Sequence, residues 1–339
     1  MKSSDVFGDL EAVIAHVSDL HFCDVFCNDK DRLSSLIGAA PHHYNLLVAL
    51  DTCFLNIPAQ LKERFGLESE PKIDMAVATG DLTTTANPIA YEEVNNFLRW
   101  SKYMGINGPR IGLEMTSNVL VVPGNHDTWF TRLGWRYRLK RPEDRSEAYE
   151  RYFPKCPEWN VRQFGNADFI FIGINSNRGL RGPLNISKGR VDEGELADIA
   201  KELAKRKSNT ARRIFAIVLL HHHLYLLPNM DEQRLTELIN AQYVLNTLSS
   251  MGIDMVLFGH RHQSFEAICS PLPAGQGSSL LVSCAGSASQ MNSSFGNSFK
   301  TYLFFHRGIR IIKYEFDGLS KFNPVRSFQF NYPNGSPFT

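Results

Sequence analysis

The chain has 339 residues, 43% of them apolar, enough for one large core without requiring a second domain. Its 36 Lys and Arg stand against 35 Asp and Glu, a net charge of +1, which gives no electrostatic reason to expect nucleic acid or an anionic membrane as partner. No stretch approaches the roughly 20 apolar residues that span a bilayer, and an N-terminus carrying Asp5, Asp9 and Glu11 does not read as a signal peptide, so a cytoplasmic location is expected. The six cysteines (Cys23, Cys27, Cys53, Cys156, Cys269 and Cys284) lack paired spacing, which argues against a thiolate zinc site or a disulfide framework.

Short apolar runs rich in β-branched residues, each ending in Asp, Asn or His, predict buried strands. The first, 13–17, leads into Ser18-Asp19-Leu20-His21. The connection 23–70 that follows is long and must contain helix; strand 75–78 then runs into Gly80-Asp81. A helix is expected over 90–103, and strand 119–122 ends at Gly124-Asn125-His126-Asp127. A second insert, 128–165, holds Trp129, Trp135, Tyr137 and several arginines, able either to cap a site and stack on a nucleobase or to pack onto the domain. Strand 169–174 precedes Asn175, and after a helix over 193–205 strand 214–220 meets His221-His222-His223. A helix over 231–250 is followed by strand 253–258 and Gly259-His260-Arg261-His262. From about 280 the pattern becomes a closing antiparallel set (280–284, 301–305, 309–316) reaching about 330, with a frayed tail. Alternating strands and helices imply a layered α/β fold, in which ligands gather beyond the carboxyl ends of the strands.

All the polar clusters fall at such ends. Asp19 and His21, two residues apart, can chelate one ion, and His260 and His262 repeat that spacing with two imidazoles. Asn125, His126 and Asp127 offer an amide oxygen, an imidazole and a carboxylate at one tight turn. Gly80-Asp81 alone reads as a turn and helix cap, and one of the three consecutive histidines reads as packed and neutral. Five clusters of Asp, Asn and His without Cys point jointly to a metal site.

The ordered set Asp-x-His, Gly-Asp, Gly-Asn-His-Asp, a His-rich strand end and Gly-His-x-His, spanning Asp19 to His262, resembles the calcineurin-like metallophosphoesterase superfamily. Within it, Ile174-Asn175-Ser176-Asn177 followed by residues 189–203 resembles the cyclic-nucleotide-phosphodiesterase-like branch. The resemblance implies one catalytic domain over 1–339, folded as a four-layer αββα sandwich of two mixed β-sheets flanked by helices. It implies two divalent ions, of manganese, iron or zinc. One would be held by Asp19, His21, Asp81 and His262, the other by Asp81, Asn125, His260 and a histidine of 221–223. In the family that histidine precedes an x-Pro; Leu224 stands where the proline would be, which points to His222 and leaves His221 as the alternative. His126 is placed to give a proton to the leaving oxygen, with Asp127 orienting its ring. Asn177 and Arg178 are candidates for contacting phosphate or base. The expected substrate is a small phosphodiester, with cyclic nucleotides and glycerophosphodiesters as candidate classes. Phosphomonoesters, pyrophosphates and, less favoured by the charge balance, nucleic acid stay open, as does a non-catalytic scaffold.

Overall fold

The computed structural model describes residues 8–22, 44–84, 86–100, 102–103, 110–128, 147–178, 187–224, 238–269, 278–290 and 295–332. Cys23, Cys27, Trp129, Trp135, Tyr137 and the start of the predicted helix 231–250 lie outside the described residues. In chain order the elements are β1 (Leu10–Val17), α1 (Tyr44–Phe65), β2 (Met75–Thr79), α2 (Pro88–Arg99), β3 (Lys102–Tyr103), β4 (Arg110–Ile111) and β5 (Val119–Val122). After a 3-10 turn, His126–Thr128, come α3 (Glu147–Glu150), β6 (Glu158–Phe164), β7 (Ala167–Gly173), α4 (Glu193–Ser208) and β8 (Arg213–Leu219). The remainder is α5 (Ala241–Ser250), β9 (Met255–Phe258), β10 (Phe265–Cys269), β11 (Leu280–Cys284), β12 (Ser298–Phe305), β13 (Gly308–Phe316) and β14 (Phe322–Asn331).

The period-2 alternation of a strand sorts these residues into layers. Along β1, Val13, Ala15 and Val17 pack with the apolar faces of α1 and α2, while Ala12 and Ile14 face the second sheet. Along β8, Phe215, Ile217 and Leu219 turn to the first sheet, while Ala216 and Val218 pack with Leu196, Ile199 and Leu203 of α4 and with Leu245 and Leu248 of α5. Three buried cores thus separate four layers: helices, sheet, sheet, helices. The sheet–sheet core is pinned by Phe169, Phe215 and Phe304, with ring centroids 4.9 to 5.6 Å apart, pairs that contribute about 0.5–1.5 kcal/mol each beyond their buried area.

The first sheet has the order β14-β13-β12-β1-β2-β5 and the second β10-β11-β9-β8-β7-β6. β1, β2 and β5 run parallel, as do β7, β8, β9 and β11, and antiparallel strands extend both sheets. The carboxyl ends of β1, β2, β5, β8 and β9 therefore carry every predicted cluster. The closing set differs from expectation in one strand: residues 280–284 join the second sheet as β11, parallel to β9, because the segment is apolar on both faces and is buried throughout. The predicted helix 90–103 stops at Arg99; it begins at Pro88, where Asn87 caps the Ile89 amide at 2.9 Å.

A polar seam crosses the otherwise apolar sheet–sheet layer. Lys300 forms an ion pair with Glu266 and donates to Ser283 Oγ at 3.1 Å; Ser283 Oγ meets Tyr302 OH at 2.8 Å. Tyr302 OH lies 3.0 Å from His16 Nδ1, and His16 Nε2 lies 2.8 Å from Thr79 Oγ1, at the end of β2. Each member has a partner, which is what a buried polar group requires.

Candidate metal centre

The strand ends bring two groups of donor atoms together. Asp19, His21, Asp81 and His262 place ligand atoms within 4.8 Å of one another, and so do Asp81, His221 and His260. Asp81 belongs to both. In the first group His21 Nε2 lies 3.3 Å from His262 Nε2, and His262 Nε2 lies 3.2 Å from Asp19 Oδ1. Burial pushes His21 down to about 3, so its ring stays neutral and presents a lone pair.

The second group tests more directly for a cation. His221 Nδ1 lies 2.8 Å from the Thr79 carbonyl, an acceptor only, so Nδ1 carries a hydrogen and Nε2 is the ring atom turned into the group. Nε2 faces Asn125 Oδ1 at 3.0 Å, His260 Nδ1 at 3.0 Å and Asp81 Oδ2 at 3.3 Å. A carboxylate, an amide oxygen and two imidazole nitrogens meeting at one buried point need a positive charge among them, either a proton on an imidazole or a bound cation. Although burial opposes it, Asp81 lifts His221 to about 9, and His221 and His126 hold Asp81 well below the usual carboxylate range. Carboxylate, imidazole and amide oxygen are the donors that manganese, iron and zinc accept, and both groups fit such an ion.

The backbone at these positions is unusual. Seven described non-glycine residues have positive φ, and five of them are Asp19 (53°), His21 (51°), Asp81 (48°), His260 (75°) and His262 (54°). Each such conformation costs on the order of 1–3 kcal/mol and persists only where the surroundings over-determine it. Gly259 shows how tightly the first group is packed: a Cβ there would fall 1.8 Å from Ser18 Oγ and 2.5 Å from Asp19 Oδ2.

Several predicted residues occupy places other than those expected. His222 lies outside both groups; its Nδ1 meets Ser176 Oγ at 2.8 Å and its ring fills the space left by the missing side chain of Gly189. Past the end of β8 consecutive side chains point apart, and His221 takes the direction of the first sheet, where Thr79 receives its Nδ1 hydrogen. His223 is buried, stacks on His260 at 6.0 Å and is pushed down to about 4 by burial. His126 lies beside the first group, its ring 5.0 Å from that of His21 and its Nε2 3.9 Å from Asp81 Oδ2. The Thr84 carbonyl, 3.0 Å from Nδ1, orients the His126 ring in place of Asp127. Asp127 instead accepts from the amides of Leu82, Thr83 and Gly124, tying the β5 turn to the segment after β2; burial and neighbouring Asp81 raise it to about 7. Asn177 donates to the Pro123 carbonyl at 2.8 Å and Arg178 pairs with Glu195 at 2.8 Å, so both have partners within the protein. Thr79, Thr84 and Ser176 hold the rings through bonds that no local sequence signal announces.

The family model for calcineurin-like phosphoesterases matches residues 12–264. The chain belongs to this family. Its fold is shared with the GAP50 anchor in the inner membrane complex of Plasmodium, 14% identical with a TM-score of 0.53, covering 96% of this chain and 90% of that one. Purple acid phosphatase PPD1 from yellow lupin (Lupinus luteus) seeds is 12% identical with a TM-score of 0.53, covering 94% and 53% of the two chains. PhoD is 11% identical with a TM-score of 0.54, covering 95% and 70%. No curated protein matches the sequence significantly. As a calcineurin-like phosphoesterase the chain combines a metallophosphoesterase fold with two donor groups sharing one aspartate. Among its described residues no helix is long and apolar enough to cross a membrane.

Proposed function

We propose that this protein hydrolyses a phosphodiester with the aid of two divalent metal ions. Asp19, His21, Asp81 and His262 would hold one ion, and Asp81, Asn125, His221 and His260 the other. The observation that carries the reading is the convergence of His221 Nε2, turned inward by the Thr79 carbonyl, with Asp81 Oδ2, Asn125 Oδ1 and His260 Nδ1 at one buried point, within 3.3 Å of His221 Nε2. Two such ions, when bound, would polarise phosphoryl oxygens and lower the pKa of a bound water.

The protein's own groups account for the rest. Asp19 and Asp81 are the two carboxylates of the donor groups, so the loaded centre keeps a positive excess that suits an anionic phosphate and its more negative transition state. His126 gives its Nδ1 hydrogen to Thr84, which fixes the ring and leaves Nε2 as the atom that carries a second proton to the leaving oxygen. Asp127 keeps the His126 turn beside Asp81 by tying Gly124 to Leu82 and Thr83. The diester preference is supported by the resemblance of residues 174–177 and 189–203 to the cyclic-nucleotide-phosphodiesterase-like branch.

The test is hydrolysis of bis(p-nitrophenyl) phosphate and p-nitrophenyl phosphate by metal-stripped protein titrated with manganese, iron and zinc. Metal-dependent turnover favouring the diester is the expected result. Preference for the monoester would make the protein a phosphatase. Two ions bound without turnover of either compound would favour a non-catalytic role.

A further inference from the structure

The first donor group depends on a stretch of backbone that is expensive to hold. Asp19 and His21 both have left-handed φ, a conformation that non-glycine residues hold only where their surroundings over-determine it. On one side the stretch is tied to the end of β2: the amides of Asp19, His21 and Phe22 donate to the carbonyls of Gly80, Asp81 and Leu82 at 3.0, 2.9 and 2.8 Å. That leaves the carbonyls to be held from elsewhere. The connection between β11 and β12 does this at three consecutive residues. The Ala288 amide donates to Ser18 O at 2.9 Å, Ser287 Oγ to Asp19 O at 2.8 Å and Ser289 Oγ to Leu20 O at 2.6 Å.

Neither hydroxyl is a surface ornament. Ser287 and Ser289 are fully buried, and Ser287 Oγ also accepts the Gln290 amide at 3.2 Å, which fixes its direction. The connection is itself braced, by Ser298 Oγ on Ala285 O at 2.8 Å and the Ser298 amide on Ser287 O at 2.8 Å. At Gly286, with φ of 82°, an added Cβ would fall 2.4 Å from Ser298 Oγ, and it would come into ordinary contact, 3.4 Å, with the His262 carbonyl oxygen. The connection therefore touches the Asp19–His21 stretch and borders His262, all in one donor group; the second group is linked to it one step further on, where the Asp19 carboxylate accepts the His260 amide at 3.1 Å. It also lies beyond residue 264, where the family match ends.

We propose that Ser287 and Ser289 are positioning residues for one metal of the pair: their hydroxyls hold the left-handed backbone that aims Asp19 and His21 at the ion shared with His262. The inference rests on the two-metal reading above. Without the hydroxyls two buried carbonyls lose their donors and the stretch relaxes toward ordinary φ, which turns both side chains away from the site.

The test is metal binding by Ser287→Ala/Ser289→Ala, measured with manganese in competition with a chelator and by the electron paramagnetic resonance signal of a coupled manganese pair. The wild type should bind two ions; the double variant should keep one at near wild-type affinity, bind the other 10- to 100-fold more weakly and lose the pair signal. Adding His221→Ala to the double variant should then abolish tight binding, whereas adding His262→Ala should not reduce it further. Thr210→Val, which removes a hydroxyl bond to Asp168 away from the site, should leave both ions in place. If the double variant does not fold, Ser289→Ala alone carries the same readout at smaller amplitude. Equal weakening of both ions, or affinities for both within about twofold of wild type, overturns the proposal while leaving the two-metal reading intact. A wild type that binds fewer than two ions overturns that reading and this proposal with it.

Discussion

Replacing His221 and His222 one at a time separates the two ways of reading the triple histidine. His221→Ala deletes the ring nitrogen that meets Asp81, Asn125 and His260, a direct ligand in the proposed centre. Loss of outer partners alone typically weakens metal binding 10- to 100-fold, so loss of this ligand should weaken one ion by at least about 100-fold. His222→Ala should act on stability. It removes the 2.8 Å bond to Ser176 Oγ and opens a cavity beside Gly189, together about 2–4 kcal/mol, while both metal affinities stay within a few-fold of wild type. Metal stoichiometry by elemental analysis and urea unfolding of the stripped proteins measure the two effects separately. Metal loss in His222→Ala with retention in His221→Ala would refute the tautomer argument and restore the ligand expected from the sequence.

His126→Ala should retain both ions and lose most of its rate on diesters with poor leaving groups but little on p-nitrophenyl esters; metal loss would contradict the proton-donor role. Gly259→Ala forces a carbon to within 1.8 Å of Ser18 Oγ, about half an ordinary contact distance. It should cost about 1–3 kcal/mol and displace Asp19, lowering turnover by about 100-fold; a folded variant with wild-type rates would show that the ligand geometry is softer than argued. The Asp254 carboxyl, raised to about 7 by burial against the opposing pull of the Ala216 amide, Lys207 and Arg213, binds its proton more tightly folded than unfolded. Stability should therefore fall as pH rises from about 4 to about 7, and Asp254→Asn should flatten that slope by on the order of 1 kcal/mol or more; parallel pH profiles in urea unfolding would refute it. Tyr302→Phe leaves His16 Nδ1 and Ser283 Oγ without their shared partner and should cost about 1–3 kcal/mol by the same measurement; a change below about 0.5 kcal/mol would mean the seam re-pairs without it.

Much of the site was legible because strands of period 2 end in chemistry. The runs before Asp19, Asp81, Asn125, His221 and His260 are apolar enough to be buried on both faces, and the polar residues that follow have no reason to interrupt them except a shared function. The choice within the triple histidine was not legible. It depends on which side chain faces the first sheet, and that follows from sheet packing, with Leu224 removing the proline cue. The role of Asp127 was hidden for a related reason: its three amide donors come from residues 82, 83 and 124, two of them more than 40 positions away. β6 lay unseen inside the insert 128–165 because its burial is intermittent, as befits an edge strand, and its sequence lacks a clean apolar run.

The division of the ligands between the sheets explains why strain gathers here. Asp19, His21, Asp81 and Asn125 follow strands of the first sheet; His221, His260 and His262 follow strands of the second. Sheets pack about 10 Å apart, whereas the donor atoms of each group lie within 4.8 Å of one another, so the strand ends must bend inward to meet. Left-handed φ at five ligands is that bend. Asp and His tolerate the conformation better than branched residues do, so the residue types that bind metal also permit the turn. The strain is sustained by the core between the sheets, by the Thr79 and Thr84 carbonyls and by the Ser287–Ser289 contacts. Substitutions at any of these supports should therefore degrade metal binding before they unfold the chain.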